Sequence, residues 1–354
     1  MNINITSLVR KNILKMKKYA SARDEFTGKA KVFLDANENA FGSPSGQELN
    51  RYPDPLQKQL RDKIADYKGL SSPEHLFLGN GSDEAIDLIL RAFCEPRIDS
   101  LMLLLPTYGM YSVSANVNDI KILNVELNKD FSLNVNEIIS VAKKEQPKVI
   151  FICSPNNPSA NVYAKEDIEK ILNSVNCLVM IDEAYIDFAT TSSWIERLDE
   201  FKNLIVIQTF SKAWGMAGVR LGMAFADPEI INVLNKIKYP YNINDVTSNI
   251  VLKTLQDPSI KDELVTKIKI ERTFLMNAFK DISIVKEVIP SEANFFLARF
   301  KDPDAVYRFL TEEGIIVRNR SNQLHCEGCL RVTVGTREEN IMLCEALQKY
   351  SEKE

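Results

Sequence analysis

The chain has 354 residues, of which 45% are hydrophobic and 26% are charged. This is the composition of an ordinary soluble globular protein with enough residues for two domains. A formal net charge of −4 excludes the broad basic surface that is typical of nucleic-acid binding. No apolar run reaches the roughly 18 residues that a membrane helix needs, so we expect neither nucleic acid nor a membrane as a partner.

The first 23 residues contain several lysines and arginines and no acidic residue. This bias occurs in organelle transit peptides, but Leu8, Ile13 and Leu14 lie among the basic residues in the manner of an amphipathic arm. We favour the arm. In the absence of a secretory signal we expect the protein in the cytoplasm, where its six cysteines stay reduced.

Between about residues 50 and 255 short apolar runs alternate with helical patterns, for example helices at 165–173 and 227–238. This alternation predicts a mostly parallel sheet covered by helices. Beyond residue 260 the pattern changes to a long charged helix, two strands and a shorter helix, which predicts a smaller α+β domain. In that domain we expect the helices at 261–279 and 303–313 and the strands at 293–300 and 329–334.

The expected fold class is therefore α/β, with a large domain built on the parallel sheet and a smaller α+β domain. The predicted divisions are an N-terminal arm at 1–45 that completes the small domain, a large domain at 46–260 and a small C-terminal domain at 261–354.

Polar side chains follow three of the predicted strands. The apolar runs at 147–153, 177–181 and 203–208 each end where polar residues begin. Because ligands bind at the carboxyl ends of parallel strands, we expect these side chains to meet in one crevice. They are Asn157, Asp182, Tyr185 and Lys212.

A fourth segment reads as a strand, a glycine turn and then a helix, from Leu76 to Ala85 and beyond. Ser82 or Asp83 is expected near the N-cap, and the N-terminus of such a helix is a natural phosphate seat. A Rossmann dinucleotide site is disfavoured, since Gly79-Asn-Gly81 lacks the third glycine at the required spacing.

Lys212 lies between two apolar runs in Thr209-Phe-Ser-Lys-Ala-Trp-Gly-Met-Ala-Gly-Val-Arg-Leu-Gly222. Taken alone it could be a solvated lysine in a turn. An amine that is partly desolvated near other cations, however, has a lowered pKa and can act as a nucleophile. With a carboxylate at Asp182 and a phosphate seat nearby, these are the groups that a pyridoxal-phosphate enzyme requires.

Many motifs in one order carry a specific resemblance over nearly the whole chain. They are residues 19–24 (YASARD), 35–39 (DANEN), 50–53 (NRYP), 81–84 (GSDE), 106–112 (PTYGMYS), 154–158 (SPNNP), 182–185 (DEAY), 209–222, 291–294 (SEAN) and 330–338 (LRVTVGTRE). The chain resembles the fold-type I pyridoxal-phosphate aminotransferases, and among them the histidinol-phosphate aminotransferase family.

The resemblance implies roles around the cofactor, pyridoxal 5'-phosphate. Lys212 would form an imine with it and later move the substrate's α-proton, and Asp182 would pair with its ring nitrogen, although Asp182 alone could be a turn cap. Asn157 and Tyr185 would bind the phenolate oxygen, and Tyr108 would stack on the ring. The phosphate would be bound by Ser82, Asp83, Thr209, Ser211 and Arg220.

The resemblance also implies substrate contacts and a partner. Arg331 would bind the α-carboxylate of glutamate, Arg318 the phosphate of histidinol phosphate, and Tyr19 the substrate. Arginines in apolar surroundings need an anionic partner, and an internal salt bridge is the alternative. Tyr52 would reach the cofactor phosphate of a neighbouring subunit, which implies a homodimer.

Three features depart from the pattern or invite another interpretation. Ser159-Ala160 stands where relatives have Thr or Ser followed by Gly, and Trp214-Gly215 is unusual in the lysine segment; both affect geometry rather than chemical groups. The Cys-x-x-Cys spacing of Cys326 and Cys329 lacks a second ligand pair, so we expect a loop there and no metal site.

The expected reaction is pyridoxal-phosphate-dependent transamination between L-histidinol phosphate and 2-oxoglutarate, giving imidazole-acetol phosphate and L-glutamate in histidine biosynthesis. A threonine-phosphate decarboxylase or an aromatic amino-acid aminotransferase could share these motifs. A transcription regulator with an aminotransferase-like domain is disfavoured, because the motifs begin near residue 19 and we expect no DNA-binding domain before them.

Overall fold

The larger sheet of the computed structural model, which describes residues 3–25 and 31–353, contains seven strands. They are β1 (Leu76–Asn80), β2 (Ser100–Leu105), β3 (Lys121–Glu126), β4 (Val149–Cys153), β5 (Leu178–Asp182), β6 (Leu204–Thr209) and β7 (Leu221–Ala226). Their order across the sheet is β1-β7-β6-β5-β4-β2-β3. Neighbouring strands are parallel except where β7 pairs with β1 and β6, which confirms the predicted mostly parallel sheet.

In chain order the helices described before residue 255 are α1 (Ile5–Leu8), α2 (Lys11–Lys15), α3 (Ala22–Glu25), α4 (Lys58–Lys68), α5 (Ser82–Phe93), α6 (Met110–Val117), α7 (Val135–Glu145), α8 (Lys165–Ser174), α9 (Pro228–Ile237) and α10 (Asp245–Thr254). All of these except α2 and α3 contribute buried side chains to the cores on the two faces of the sheet. The helices α8 and α9 lie within one residue of their predicted bounds. Among the described residues, no helix combines the length and the apolar character required to span a bilayer.

Except at the partly exposed edge strand β3, both faces of the large sheet are buried, and the apolar side chains of its strands alternate between two separate cores. In β4, Ile150 and Ile152 belong to the core on one face, whereas Val149 and Phe151 belong to the core on the other. A strand buried on both faces needs apolar residues at every position rather than at alternate ones. This is why the central strands read as continuous apolar runs in the sequence.

The smaller sheet is antiparallel and has its own core. Its strands are β8 (Val285–Val288), β9 (Phe295–Phe300), β10 (Arg318–Asn319) and β11 (Cys329–Thr333), in the order β10-β11-β9-β8. The helices α11 (Ser259–Lys280), α12 (Pro303–Glu312) and α13 (Arg337–Ser351) contribute side chains to that core. The predicted α+β character of this region is confirmed.

The N-terminal segment packs differently from the prediction. Ile5 and Val9 are buried in the same core as α5 and α9 of the large domain, and Arg10 forms an ion pair with Glu95. The expectation that this segment completes the small domain is wrong for residues 5–10, because their apolar side chains cover α5 and α9. Residues 1, 2, 26–30 and 354 of the predicted divisions lie outside the described residues, and the domain boundaries stay a prediction.

Candidate active site

The carboxyl ends of the central strands bring the predicted polar residues together. Cys153 at the end of β4 lies opposite Asp182 at the end of β5, and Asp182 lies opposite Ile207 in β6. A cavity of about 570 Å³ opens at this edge. Among the residues that line it are Ser82, Asp83, Tyr108, Asn157, Asp182, Tyr185, Thr209, Ser211, Lys212, Arg220, Arg318 and Arg331.

Asp182 lies at the floor of the cavity and is almost completely buried. One of its carboxylate oxygens accepts a hydrogen bond from the Tyr111 hydroxyl at 2.6 Å, and the other accepts one from the Ala184 backbone N–H at 2.9 Å. Burial raises the pKa of Asp182 to about 6, although both hydrogen bonds oppose the rise. Within the described chain no cation forms an ion pair with it, so the carboxylate is suited to a cationic group of a ligand.

Lys212 is partly exposed, and its amino group lies 5.6 Å from the centre of the Tyr185 ring. Burial lowers the pKa of Lys212, and the nearby guanidinium group of Arg331 lowers it further. An amine with a lowered pKa is deprotonated more often at neutral pH, so it can attack a carbonyl carbon and can exchange protons with a substrate.

The N-terminus of α5 and the side chain of Arg220 form an anion seat. Gly81, with φ of 74°, is the N-cap residue of α5 and makes no side-chain cap. Ser82 and Asp83 are the first two residues of the helix, so they lie near the N-cap as predicted. A Cβ atom on Gly81 would lie 2.7 Å from Nη2 of Arg220. Glycine therefore allows the guanidinium group and the free N–H groups of the helix to approach the same point.

Two hydroxyl groups complete the anion seat. The Thr209 hydroxyl donates a hydrogen bond to the Ser211 hydroxyl at 3.0 Å, and it accepts one from the Ser211 backbone N–H at 3.1 Å. Thr209 is the last residue of β6 and Ser211 follows two residues later, and both line the cavity with Arg220. Backbone N–H groups, hydroxyls and one forked cation form the donor set that suits a phosphate group.

Tyr108, Asn157 and Tyr185 surround the space between Asp182 and the arginines. The Asn157 amide donates to the Tyr185 hydroxyl at 3.4 Å and accepts from Nη1 of Arg331 at 2.6 Å. Burial raises the pKa of Tyr108 to about 12 and raises that of Tyr185 as well. Both phenols are therefore protonated at neutral pH and can donate hydrogen bonds to an anionic oxygen.

Arg318 and Arg331 lie opposite each other on the neighbouring strands β10 and β11. Neither forms an ion pair with a carboxylate of the described residues, so the internal salt bridge considered as an alternative is not formed there. Burial lowers the pKa of Arg331, and nearby Arg320 lowers it further. Unpaired guanidinium groups on a cavity wall favour anionic ligands.

Tyr19 and Tyr52 are not part of this cavity. Tyr52 is half exposed and stacks on Tyr241, with 4.5 Å between ring centres. Tyr19 is exposed beside a second, more open cavity that Lys236 and Tyr239 also line. Within one copy of the chain the structure does not bring these two tyrosines to the site, and their predicted roles remain predictions.

The structure adds residues that sequence reasoning did not identify. Tyr111, buried against Asp182, lies in the same 106–112 motif as Tyr108. Arg320 also lines the cavity, and its position two residues after Arg318 is a signal, because alternate residues of an extended chain share a face. Gln323 lines the cavity too, and no sequence pattern marks it.

Pyridoxal phosphate fits these residues. A buried carboxylate with a raised pKa can hold a protonated ring nitrogen, the anion seat matches a phosphate, and Lys212 lines the same cavity. The protonated phenol of Tyr185 and the amide of Asn157 provide donors for a phenolate oxygen.

A family model described as aminotransferase class I and II matches residues 21–347. The chain belongs to this aminotransferase family. The match confirms the resemblance inferred from the motifs, and it covers both the large sheet and the small domain.

Within the family the chain is similar to histidinol-phosphate aminotransferases. It is 49% identical to that of Cytophaga hutchinsonii, over 99% of this chain and 100% of the relative, and 51% identical to that of Parabacteroides distasonis, over 98% of each. A solved structure of the histidinol-phosphate aminotransferase from Sinorhizobium meliloti in complex with pyridoxal-5'-phosphate has the same fold. Its TM-score is 0.79 at 22% identity, with 90% of each chain covered.

Proposed function

We propose that this protein uses pyridoxal phosphate to exchange an amino group between L-histidinol phosphate and 2-oxoglutarate, a step of histidine biosynthesis. The relatives that are about half identical over nearly the whole chain support this assignment. The single observation that carries it is the cavity that Lys212, Asp182 and the anion seat share with Arg318 and Arg331, two arginines without a carboxylate partner among the described residues. The other substrates are then L-glutamate and imidazole-acetol phosphate.

Each cavity residue has a proposed task around the cofactor. When bound, pyridoxal phosphate draws electrons away from the carbon that carries the amino group. Asp182 holds the proton on the ring nitrogen, which its burial next to Tyr111 makes favourable. Lys212 would hold the cofactor through its amino group and, when that group is free, would take the α-proton of the substrate and return it. Tyr108 covers one face of the ring, while Asn157 and Tyr185 orient its phenolate oxygen.

Phosphate and carboxylate groups are held by separate cations. Ser82 and Asp83 offer backbone N–H groups, Thr209 and Ser211 offer hydroxyls, and Arg220 offers its guanidinium to the cofactor phosphate. On the small-domain side, Arg331 binds the α-carboxylate of glutamate, and Arg318 binds the phosphate of histidinol phosphate. We include Tyr19 as a substrate contact on the resemblance alone.

We also propose a homodimer in which Tyr52 serves the neighbouring site. The segment at 31–57 exposes several large apolar side chains, namely Val32, Leu34, Phe41, Leu49 and Tyr52. Several exposed large apolar side chains within one segment favour a protein partner, and a second copy of the chain agrees with the role that the resemblance gives to Tyr52. The cytoplasm is the proposed compartment, in agreement with six free cysteines.

The visible spectrum of the purified protein tests the assignment. After loading with pyridoxal phosphate, the protein should show the absorption band of the bound cofactor. Addition of L-histidinol phosphate without a keto acid should remove the band, and 2-oxoglutarate should restore it.

Other results of this experiment point elsewhere. A band that persists with L-histidinol phosphate would leave the cofactor in place and exclude this substrate. Release of carbon dioxide from threonine phosphate would favour the decarboxylase, and bleaching only by unphosphorylated aromatic amino acids would favour the aromatic aminotransferase. No band at saturating cofactor would contradict the whole proposal.

A further inference from the structure

One turn of the small domain places two more polar side chains on the cavity wall. It begins directly after β10, and its backbone is held by hydrogen bonds from the Gln323 N–H to the Arg320 carbonyl at 2.9 Å and from the Cys326 N–H to the Gln323 carbonyl at 3.0 Å. Both Arg320 and Gln323 line the cavity. The turn therefore has a defined shape, and its side chains face the substrate side of the site.

The side-chain oxygen of Gln323 is shielded from solvent and accepts no hydrogen bond from the described part of the chain. A buried acceptor without a donor is costly, because it has lost its hydrogen bonds to water and gained none in exchange. Only three buried side-chain atoms of the described residues are in this state, and Gln323 provides the one on the wall of the active-site cavity. A ligand with a suitably placed N–H or O–H group would satisfy it.

The guanidinium group of Arg320 also lacks an anionic partner among the described residues. Its only side-chain hydrogen bond in that part of the protein goes to the Asn319 carbonyl at 3.3 Å. Arg299, on nearby β9, is by contrast paired with Glu287 at 3.0 Å. Burial lowers the pKa of Arg320, and the adjacent Arg318 lowers it further. Three unpaired arginines on one wall, Arg318, Arg320 and Arg331, can neutralise more negative charge than a single carboxylate brings.

We propose that Arg320 and Gln323 are specificity-determining residues for the phosphorylated amino donor. Arg320 is a second cation for the phosphate monoester beside Arg318, and the side-chain oxygen of Gln323 accepts a hydrogen bond from an N–H group of the substrate's ring. The inference rests on the proposed function and extends it, because it assigns the two ends of the substrate to separate groups of the turn.

The chemistry of the substrates explains why the imidazole N–H group is assigned as the hydrogen-bond donor to Gln323. The amino group of the substrate is engaged at the reacting centre, so the imidazole N–H is the remaining nitrogen donor of L-histidinol phosphate. L-Glutamate has no such donor, and neither has threonine phosphate. A site with a buried acceptor rejects analogues that leave the acceptor unpaired much more strongly than an apolar pocket does. Gln323 would thus separate an imidazole substrate from other phosphorylated amines.

The experiment compares half-reactions of the cofactor-loaded enzyme. The variants are Gln323→Met, which keeps the length of the side chain without the acceptor, and Gln323→Glu, which keeps an acceptor oxygen. For each we would measure kcat/KM for L-histidinol phosphate and for L-glutamate. The exposed Asn322 of the same turn offers a control, Asn322→Ala.

Gln323→Met should lower the ratio of the two kcat/KM values about 10- to 100-fold, because one buried hydrogen bond to the substrate is lost. Most of the change should be in KM for L-histidinol phosphate, since the bond is present in both the bound substrate and the transition state. Gln323→Glu should retain most of the selectivity, and Asn322→Ala should leave the ratio within about twofold of the parent enzyme.

The second comparison isolates the phosphate. Arg320→Met should lower the preference for L-histidinol phosphate over L-histidinol at least about tenfold, because the two differ only in the phosphate that Arg320 contacts. Arg308→Met, which removes an exposed arginine of α12, should leave that preference within about twofold of the parent.

The outcomes separate this inference from the proposed function. A parent enzyme that does not react with L-histidinol phosphate at all would overturn both. A parent that reacts, with variants whose selectivities match it, would overturn only the inference. Equal losses with L-histidinol phosphate and L-glutamate in Gln323→Met would also overturn it, since they would indicate a structural role for the turn.

Discussion

The buried carboxylate of Asp182 lowers the stability of the folded protein when it is ionised, and its proposed role in holding a protonated ring nitrogen explains why such a group is present. Its pKa of about 6 lies above the ordinary value of 3.8 because burial disfavours the charged carboxylate. The folded state thus binds this proton more tightly than the unfolded state, and ionisation destabilises the fold. The wild-type protein loses this contribution as pH rises from about 4 to 6. A bound cationic ring nitrogen would stabilise the ionised carboxylate and so remove this loss of stability.

We therefore expect Asp182→Asn to stabilise the cofactor-free protein at pH 8 and to weaken cofactor binding. The pKa difference corresponds to about 3 kcal/mol. The expected gain is about 1–2 kcal/mol, because Asn also alters the hydrogen bond with Tyr111. Urea unfolding at pH 8 and pH 5 measures the gain, which should be smaller at pH 5. Equal stability of the two proteins at pH 8 would contradict the argument.

Arg331 supplies a second prediction for a single residue. Arg331→Ala should cost about 2–5 kcal/mol in kcat/KM for L-glutamate, because an ionic contact with the α-carboxylate is lost inside the cavity. Arg331→Lys should lose less of kcat/KM, since it keeps the positive charge. It loses only the paired N–H groups of the guanidinium, one of which also donates to Asn157. Unchanged kinetics of Arg331→Ala with L-glutamate would remove Arg331 from the substrate site.

At the scale of elements, the anion seat depends on how closely β7 approaches the turn between β1 and α5. A Cβ atom on Gly222 would lie 2.1 Å from the Ser82 nitrogen and 2.2 Å from the carbonyl carbon of Gly81. Both contacts are with backbone, so a larger residue cannot be accommodated by a side-chain rotation. Glycine at this position keeps the helix N-terminus beside Arg220.

Gly222→Ala should accordingly destabilise the protein by about 1–3 kcal/mol and lower its affinity for pyridoxal phosphate, because the turn must move away from the strand. Gly218→Ala is the matched control, since a Cβ atom there meets no other atom within 4 Å. Urea unfolding and cofactor titration of both variants measure the two effects. Equal behaviour of the two variants would show that the close approach is unimportant.

The elements that the sequence predicted best are the central strands of the large sheet. The predicted runs at 147–153, 177–181 and 203–208 differ from β4, β5 and β6 by at most two residues at either end. Burial on both faces favours apolar residues at nearly every position of such a strand, so the apolar run and the strand nearly coincide. The polar residues at the strand ends consequently reached the cavity as expected.

The remaining parts depend on information that is not local in the sequence. Gln323 reaches the cavity through the path of a loop whose shape is set by turn hydrogen bonds. The sequence does not specify where residues 5–10 pack, because Ile5 and Val9 would suit any apolar surface, and only packing against α5 and α9 selects one. Tyr111 cannot be identified from the sequence alone, because it lies in α6 and Asp182 lies at the end of β5. Only the fold brings the two side chains into hydrogen-bond contact.

For the whole molecule, the decisive question is whether each site takes Tyr52 from its own chain or from a second one. Tyr52 is outside the cavity of its own chain and stacks on Tyr241 at the surface, and exposed apolar residues surround it in sequence at 31–57. A symmetric dimer would bring the same surface of one copy to the other and form two equivalent sites.

Mixing two inactive variants distinguishes the possibilities. Lys212→Ala lacks the reactive amine, and Tyr52→Ala should bind the cofactor poorly. If Tyr52 acts across the dimer, a hybrid of the two has one site with both groups intact, because the chain with Lys212 receives Tyr52 from its partner. Random exchange should then restore about a quarter of the parent activity, since half of the dimers are hybrids with one working site of two. If Tyr52 serves its own chain, every site lacks one of the two groups and mixing restores nothing. Activity that stays at the level of the separate variants after verified subunit exchange would therefore exclude the shared site.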